Sequence, residues 1–426
     1  MDVVRFPNRN EWPALMQRAA VVDDGAKAVV AGIIAQVRQQ GDEALRDFAR
    51  RFDHVELAQL AVSPQEFDEA ALLVSDELKS SIAMAKQNIE KFHAAQRMED
   101  ITVETVPGVT CTQRAVAIPS VGLYIPGGNS PLFSTVLMLA VPAKLAGCGK
   151  VVMCTPAGKD GKVHPAILYA AQLCGVDAVY KIGGAQAVAA MAYGTETVPR
   201  VYKIFGPGNR WVMEAKMQVN TAGVAIDMPA GPSEVMIVAD GSACATHVAS
   251  DFLSQAEHGP DSQSILLTTS SELAEQLPVV TEQLLSMLPR REMMERSLSH
   301  SHIVLLHDDD EMMEFANAYA PEHLIINHSE CNKLAAMVVN AGSVFLGPYS
   351  PESAGDYASG TNHTLPTSGY ATAYSGVNLD SFIKKITFQR LTQEGIQTIG
   401  PVVMAMAEAE DLMAHRLAVA VRVGKE

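Results

Sequence analysis

The chain of 426 residues lacks the features that mark several classes of protein. Its formal net charge is -16 and no basic stripe is present, so we expect no nucleic-acid partner and no anionic membrane surface, because few groups could neutralise phosphates. The most apolar stretch, 136–145, contains Pro142 and Lys144 and is shorter than the roughly 20 residues of a membrane span. The first residues contain no apolar core of a signal peptide, which favours a cytoplasmic location.

Several familiar motifs are also absent. The six cysteines are scattered and none forms a C-x-x-C pair, which disfavours a zinc knuckle or a redox dithiol and favours reduced thiols. No H-E-x-x-H segment is present, so a standard metalloprotease is disfavoured. No complete G-x-G-x-x-G fingerprint occurs either, so a dinucleotide would have to bind without it.

The chain is rich enough in apolar residues, at 48%, to form two large cores, and its length favours two domains with appendages. The first hundred residues predict helices. One pattern covers 26–52 with a weak point at Gly41, and a capping box at Ser63 opens a second that reaches about residue 97.

From about Val116, short apolar strands alternate with helices and glycine turns, which predicts an α/β fold built on parallel sheets. We expect an N-terminal helical region at 1–112, α/β units at 113–228 and 229–375, and a C-terminal helical tail at 376–426. Residues 347–378 predict a long loop, which in a compact protein is usually functional.

Three glycine turns, at 126–128, 183–184 and 206–208, each follow a predicted strand of the first unit. Any one of them could be a packing turn. Together they would place backbone N–H groups at helix N-termini beside the carboxyl ends of the strands, where α/β sheets bind nucleotides. The hypothesis is a dinucleotide site without the standard fingerprint.

A helix ends within 254–263, where Gly259 and Pro260 stop it. Gln255 and His258 lie three residues apart and share one face of its last turn. That turn is the negative end of the helix dipole and favours a cation. Because Gln255 also lies beside the buried stripe, its amide needs a partner, and a metal ion would serve.

Glu322 and His323 stand side by side at the start of a predicted strand. Such a pair is often ordinary surface chemistry. If it is functional, His323 could act as a general base near neutral pH and Glu322 could activate water.

Four further polar residues lie in the long loop and the tail. Asp356 could be a turn former or, with His363, part of a ligand site. Glu410 and His415 lie on the last helix, where periodicity alone indicates a solvated face. The set Gln255, His258, Asp356 and His415 would offer nitrogen and oxygen ligands suited to zinc, although composition does not prove it.

Several long segments resemble the signature of histidinol dehydrogenases, and the resemblance extends from about residue 20 to the end. The segments are 226–234, 254–263, 321–325 and 352–363, with 203–209 and 414–415 in support. The resemblance implies a zinc-dependent homodimer that oxidises L-histidinol to L-histidine with two NAD per turnover. It also implies two tandem incomplete Rossmann-like domains and a C-terminal tail swapped between subunits.

The same resemblance implies residue roles. Glu322 and His323 would be the proton acceptors. Zinc would be held by Gln255, His258, Asp356 and His415. The substrate would be surrounded by Ser233, Gln255, His258, His323, Asp356, His363, Glu410 and His415. NAD would contact Tyr124, Gln186 and Asn209.

Three other functions compete with this one. A paralogous zinc- and NAD-dependent dehydrogenase could act on another small polar alcohol, such as a sulfonated diol, although Glu410 and His363 suit a cationic substrate better. A non-catalytic metal-binding protein would not need the Glu322–His323 pair. A zinc hydrolase would leave the glycine turns unexplained.

Overall fold

A computed structural model of the chain describes residues 1–18, 25–127 and 130–425. They form a mixed α/β structure with two parallel sheets and one antiparallel sheet. The strands are β1 Asp2–Arg5, β2 Ile101–Val106, β3 Val109–Ala117, β4 Ser120–Tyr124, β5 Lys150–Thr155, β6 Ala178–Lys181, β7 Lys203–Phe205, β8 Ala225–Ile226, β9 Glu234–Ala239, β10 Gln263–Thr268, β11 His302–Leu305, β12 His323–Asn327, β13 Ser343–Leu346 and β14 Ile383–Leu391.

Helices account for most of the remaining chain. They are α1 Trp12–Leu15, α2 Ala26–Gln40, α3 Asp42–Phe48, α4 Pro64–Leu73, α5 Asp76–Ala94, α6 Phe133–Leu145, α7 Pro165–Leu173, α8 Gly184–Tyr193, α9 Arg210–Thr221, α10 Ala245–Ala256, α11 Ser271–Leu285, α12 Arg291–Leu298, α13 Asp309–Tyr319, α14 Cys331–Ala335, α15 Glu352–Tyr357, α16 Gln393–Ala409 and α17 Met413–Val423. A π-helical turn covers Ala49–Asp53, and 3₁₀ turns cover Tyr370–Thr372 and Leu379–Phe382. None of the described helices combines the length and apolar character that crossing a membrane requires.

The first parallel sheet has the strand order β6-β5-β4-β7-β8. Its strands are near-continuous apolar runs because helices cover both faces. One apolar core joins the sheet to α2, α3, α8 and α9, and a second joins it to α5, α6 and α7. The predicted alternation of strands and helices in this unit is confirmed.

The second parallel sheet has the order β1-β11-β10-β9-β12-β13. Its strands β9 to β13 repeat the arrangement of the first sheet, with the earliest strand central, the next two on one side and the last two on the other. The N-terminal strand β1 extends this sheet by pairing with β11, residue Asp2 opposite His302.

The structure differs from the sequence prediction at both ends of the chain. The tail was expected to be helical from about Ser381, but Ile383–Leu391 is a strand that pairs antiparallel with β3 along nine residues. The region at 1–112, predicted to be helical, likewise contains β1, β2 and the start of β3 as well as helices. β14 is largely exposed, so it has no buried face to impose the two-residue apolar alternation by which strands are recognised.

The long loop is also partly structured. Residues 352–357 form the short helix α15, which the polar composition of the segment concealed. The helix α15 lies against α10. It also approaches Phe345 closely, since a Cβ added at Gly355 of α15 would lie only 2.6 Å from the Phe345 ring. This close approach holds α15 beside the amino end of the second sheet.

Candidate active site

The two parallel sheets contribute opposite ends of their strands to the candidate site. We call the side of a sheet formed by the carboxyl ends of its strands the carboxyl edge, and the side formed by their amino ends the amino edge. In the first sheet, the glycine turns follow the carboxyl ends of β4, β6 and β7. In the second sheet, the acid–base pair lies at the amino end of β12, and α10 ends just before β10 begins. One hydrogen bond joins the regions: Thr135, near the start of α6, lies with its hydroxyl 3.1 Å from Nε2 of His363.

The end of α10 presents two of the predicted metal ligands. Gln255 is fully buried, and both polar atoms of its side-chain amide have no hydrogen-bond partner among the described residues. His258 follows one turn later, and its side chain is 43% exposed. A buried amide without partners is costly, so this geometry favours a ligand that the amide oxygen can bind.

The helix α15 places two carboxylates opposite His258. Nε2 of His258 lies 3.7 Å from Oε1 of Glu352 and 3.8 Å from Oδ2 of Asp356. Glu352 is buried at 1% exposure and neither of its carboxylate oxygens has a hydrogen-bond partner among the described residues. The sequence analysis did not identify Glu352, although it lies four residues before Asp356 and therefore on the same helix face.

These side chains fit a metal ion. One ligand atom each from His258, Glu352 and Asp356 lies within 4.8 Å of the others. Together with the unpartnered amide of Gln255, they provide the nitrogen and oxygen donors that zinc accepts in proteins. The structure thus brings together two of the four predicted ligands, His258 and Asp356, and adds Glu352, while Gln255 on α10 lies one turn before His258.

The remaining predicted ligand lies elsewhere within the chain. His415 is on α17 and exposed, and Glu410, which ends α16, is exposed too. Neither joins the cluster around His258 in the part of the chain that the structure describes.

Glu322 and His323 are buried beside this cluster. Nδ1 of His323 lies 3.7 Å from Oε2 of Glu322 and 3.9 Å from Oε1 of Glu352, while its Nε2 lies 3.6 Å from Oδ1 of Asp356. Burial lowers the pKa of His323, but the negative charges of Glu352 and Glu322 outweigh it and raise the pKa to about 10. Burial raises the pKa of Glu322 to about 7. The pair is therefore not a solvated surface pair.

A network of hydrogen bonds lies behind Glu322. The backbone N–H of Glu234 donates to Oε2 of Glu322 at 2.9 Å. The side chain of Glu234 forms an ion pair with Arg18 and accepts hydrogen bonds from the Tyr319 hydroxyl and the Ser368 N–H. Because several donors hold Glu234, the peptide group that orients Glu322 is also held.

The predicted substrate residues Ser233 and His363 lie at this same edge. Ser233 is half-buried and directly precedes Glu234. Nδ1 of His363 lies 2.8 Å from the carbonyl oxygen of Asp356, and a carbonyl can only accept, so Nδ1 carries the proton. Burial lowers the pKa of His363, which keeps the ring neutral and leaves Nε2 to accept from Thr135.

Three glycines of the first two turns, Gly127, Gly183 and Gly184, line a cavity of about 890 Å³, while Gly128 of the first turn lies outside the described residues. Its walls include the three predicted cofactor residues, Tyr124, Gln186 and Asn209. The Tyr124 hydroxyl accepts a hydrogen bond from the N–H of Gly184 at 3.0 Å, and Asn209 caps α9 through the N–H groups of Trp211 and Val212. The structure thus brings the three together.

Close backbone approach explains the glycine at the start of the third turn, which leads to the cavity residue Asn209. Gly206 has a φ of +128°, and a Cβ there would lie 2.0 Å from the carbonyl oxygen of Tyr124. Two hydrogen bonds fix the turn: the Gly206 N–H donates to Asp227, and Nζ of Lys216 donates to the Gly206 carbonyl. Lys216 and Asp227 themselves form a buried ion pair.

Comparison with known proteins agrees with this geometry. The family model described as histidinol dehydrogenase matches residues 16–423. The histidinol dehydrogenase of Bacteroides thetaiotaomicron is 56% identical over 99% of both chains, and that of Yersinia pestis is 50% identical over 98% of this chain and 94% of its own. A crystal structure of histidinol dehydrogenase from Elizabethkingia anophelis superimposes with a TM-score of 0.97 and 50% identity, covering 100% of this chain and 98% of that one. The chain therefore belongs to the histidinol dehydrogenase family.

Proposed function

We propose that this chain oxidises L-histidinol, through L-histidinaldehyde, to L-histidine with NAD as the acceptor in both steps. Membership of the family supports the reaction. The observation within the molecule that carries the proposal is the contact of the buried Glu322–His323 pair with the carboxylates of Glu352 and Asp356 next to His258. It puts acid–base groups and a cluster of metal ligands in one place.

Zinc is the metal that we assign to this cluster. Gln255, His258 and Asp356 would bind it, and Glu352 faces the same space. When bound, zinc would orient the amine and imidazole nitrogens of the substrate, and NAD in the cavity of the first sheet would accept the hydride.

The residues of the chain then move the protons. His323, when unprotonated, accepts the proton of the substrate hydroxyl in the first step. Glu322 has a pKa of about 7, so a large fraction is ionised at neutral pH and can take a proton from the water that adds to the aldehyde. The backbone N–H of Glu234 holds that carboxylate in place.

Substrate recognition follows from charge and proton position. Neutral His363 and half-buried Ser233 offer hydrogen bonds at the site, and Glu410, brought by a tail swapped between subunits, would supply a negative charge for a cationic substrate. A sulfonated alcohol, the substrate considered for a paralogous dehydrogenase, would instead need basic residues. Histidinol therefore fits this site better than a sulfonated alcohol does.

We also propose that the active site is shared by two subunits in a homodimer. Glu410 and His415, two of the predicted site residues, are exposed on α16 and α17. An apolar surface accompanies them, and surfaces of this kind commonly mark protein interfaces. Its exposed residues are Val402, Met406, Leu412, Met413, Leu417 and Val421. A tail swapped between subunits would bring the partner's copy of this segment to the site.

The wider organisation belongs to the same proposal. The two parallel sheets would be the cores of two tandem incomplete Rossmann-like domains, at 113–228 and 229–375. Residues 1–112 and the tail at 376–426 would pack around them, with β1 completing the second sheet. The enzyme would work in the cytoplasm.

Counting the products tests the reaction. We expect complete conversion of a limiting amount of L-histidinol by the zinc-loaded protein to yield two NADH per substrate, measured by absorbance. One NADH per histidinol, with aldehyde as the end product, would contradict the two-step proposal.

Complementation tests the shared site. Glu322→Gln and His415→Asn variants are each expected to form little L-histidine, but after unfolding and joint refolding the mixed dimer contains one intact site when the tail is swapped. Equal mixing should restore about a quarter of wild-type activity, since about half of the dimers are mixed. No recovery, with mixed dimers demonstrated by two affinity tags, would show that each chain builds its site alone.

A further inference from the structure

One carboxylate in the wall of the cofactor cavity has no role in the arrangement described so far. Asp53 lines the cavity together with three other acidic residues, namely Glu66, Glu69 and Asp160. It comes from the N-terminal helical region and not from the strands or glycine turns of the sheet. The cavity wall that contains Tyr124 and Gln186 is therefore also acidic.

The other three carboxylates already have donors. The contacts are Glu66 to Lys181, Glu69 to Lys162, and Asp160 to the backbone N–H of Lys162. The carboxylate of Asp53, in contrast, accepts no hydrogen bond within the described residues, and its burial raises its pKa. A half-buried carboxylate without a donor is unfavourable in the empty cavity, and a ligand with hydroxyl groups would satisfy it.

The local backbone holds Asp53 in an unusual way. It is the last residue of the π-helical turn Ala49–Asp53, and His54 after it has a φ of +55°. π-Helical turns are rare and occur often at functional sites, and a non-glycine residue at positive φ is uncommon. The buried residues Ala49 and Val55 fix the turn on both sides in the core shared with α8 and α9.

We propose that Asp53 binds the vicinal hydroxyls of the adenosine ribose of NAD and thereby discriminates against NADP. The proposal rests on the placement of NAD in this cavity under the proposed function. A ribose offers two neighbouring O–H donors, which a carboxylate can accept together. A 2′-phosphate would remove one donor and bring a second negative charge to an already acidic wall.

The position of Asp53 selects the adenosine ribose over the nicotinamide ribose. The nicotinamide must reach the substrate at the second sheet, and the cavity is tied to that part of the molecule at Ser130, which accepts a hydrogen bond from Arg290 at 3.1 Å. The core that holds the π-helical turn contains residues of the first sheet and its helices only. In the G-x-G-x-x-G proteins an acid in the sheet unit binds this ribose, and here a helix outside the sheet would supply it.

Binding measurements on the zinc-loaded protein test the proposal. Trp211 lines the cavity, whereas the second tryptophan, Trp12, is buried against the core of the second sheet, so fluorescence and calorimetry can both report dissociation constants. In Asp53→Asn we expect NAD to bind about tenfold more weakly, the loss of one charge-assisted hydrogen bond. The ratio of the NADP constant to the NAD constant should fall by at least a similar factor.

Two comparisons keep the test specific. Glu43→Gln, which changes an exposed acidic residue of the same N-terminal region outside the cavity wall, should leave the NADP-to-NAD ratio within about twofold of wild type. The 2′-deoxy analogue of NAD should bind wild type more weakly than NAD does, and Asp53→Asn should show little further loss. The thermal midpoint of Asp53→Asn should equal or exceed that of wild type, because an unpartnered charge is removed.

The outcomes separate the two proposals. An unchanged NADP-to-NAD ratio in Asp53→Asn, with NAD still quenching Trp211, would overturn the role of Asp53 and leave the cofactor cavity intact. A lower thermal midpoint with an unchanged ratio would assign Asp53 a structural role instead. Failure of NAD to bind the wild-type cavity would overturn both the role of Asp53 and the placement of the cofactor.

Discussion

The two parallel sheets share one strand order but present their polar residues at opposite edges. In the first sheet, the carboxyl edge opens into the cavity with Tyr124 and the glycine turns. In the second sheet, the amino edge holds Glu322, His323 and the metal-ligand cluster. The same topology thus carries the proposed cofactor cavity in one copy and the proposed acid–base pair in the other, so the side chains and not the strand order distinguish the two.

The carboxyl edge of the second sheet differs from that of the first because its polar side chains contact one another. Asp240, after β9, accepts hydrogen bonds from Ser242 and Ser329, and these bonds lower its pKa to about 2. Nε2 of buried His328, after β12, lies 3.3 Å from Asp309 at the start of α13. The polar side chains of Asp240 and His328 at this edge thus pair with their neighbours, whereas the corresponding edge of the first sheet lines a cavity.

Replacing the proposed water-activating base is the strongest way to test the amino edge. Glu322→Gln keeps an acceptor for the Glu234 N–H but removes the base, so the aldehyde-to-acid half should slow by about 10²- to 10⁴-fold. Oxidation of the alcohol should suffer less, as measured by trapping histidinaldehyde. The matched control is Glu330→Gln, which changes an exposed glutamate just after the same strand. Equal losses in both half-reactions would contradict the separate role of Glu322.

One added methyl group should displace the glycine turn at the carboxyl edge of the first sheet. Gly206→Ala adds a Cβ that would lie 2.0 Å from the Tyr124 carbonyl oxygen, at a φ of +128°. We expect a loss of about 2–3 kcal/mol in the free energy of unfolding and at least about tenfold weaker NAD binding, since strained backbone and a displaced turn add together. Gly223→Ala, at positive φ but with open space around it, is the control for backbone strain alone. If both variants bind NAD equally well, close approach at Gly206 is not what shapes the cavity.

The acidic character of the amino edge predicts a pH-dependent cost in stability. Burial and the negative charge of Glu352 raise the pKa of Asp251, on α10, to about 7. A raised carboxyl pKa means that the folded state favours the protonated form, so wild type loses stability as pH rises from about 4 through about 7. In the metal-free protein, Asp251→Asn should unfold with about 2 kcal/mol more free energy than wild type at pH 8 and with nearly the same free energy at pH 4.

Denaturant titrations at the two pH values measure this difference. Asp261→Asn, which changes an exposed aspartate beyond the same helix, should be pH-neutral. A stability gain of the Asp251 variant that is equal at both pH values would rule out ionisation as its cause.

The smallest effect is expected at the unused edge. His328→Asn removes a buried ring whose Nδ1 accepts from the Glu330 N–H at 3.0 Å, so it should cost about 1–2 kcal/mol of stability. The kcat and KM of this variant should stay within about twofold of wild type, because a packing change far from the active site alters stability and not catalysis. A tenfold fall in kcat for folded, zinc-loaded protein would show that the second sheet uses both edges.

The sequence predicted the local parts of this arrangement well. Apolar strands followed by glycine turns identify the first sheet and its cavity because a strand that is buried on both faces and a tight turn each need particular residues. Helical spacing placed Gln255 and His258 on one face. The sequence pattern did not predict β14, whose partner strand β3 lies more than 260 residues away in the chain. A largely exposed strand forms through its pairing with a neighbour and carries no apolar alternation of its own.

The metal cluster marks the boundary between the two kinds of information. Residue type and local spacing were enough to identify Asp356, His258 and Gln255 as candidate ligands. The adjacency of Glu322 and His323 is likewise visible in the sequence. Glu352 escaped notice because its function depends on α15 folding as a helix inside a polar segment and meeting α10 across space. Its burial without a hydrogen-bond partner can be seen only when the surrounding elements are in place.

By itself, then, the sequence determined the α/β class, most of the strands and turns of both units, and the residue types that we propose to bind metal and move protons. These follow from apolar periodicity, glycine geometry and side-chain chemistry, all of which act over a few residues. Only the tertiary structure decided that the carboxyl edge of one sheet works beside the amino edge of the other, that Glu352 joins the cluster, and that Asp53 reaches the cofactor cavity. Those juxtapositions arise from packing between segments distant in the chain, which no local pattern encodes.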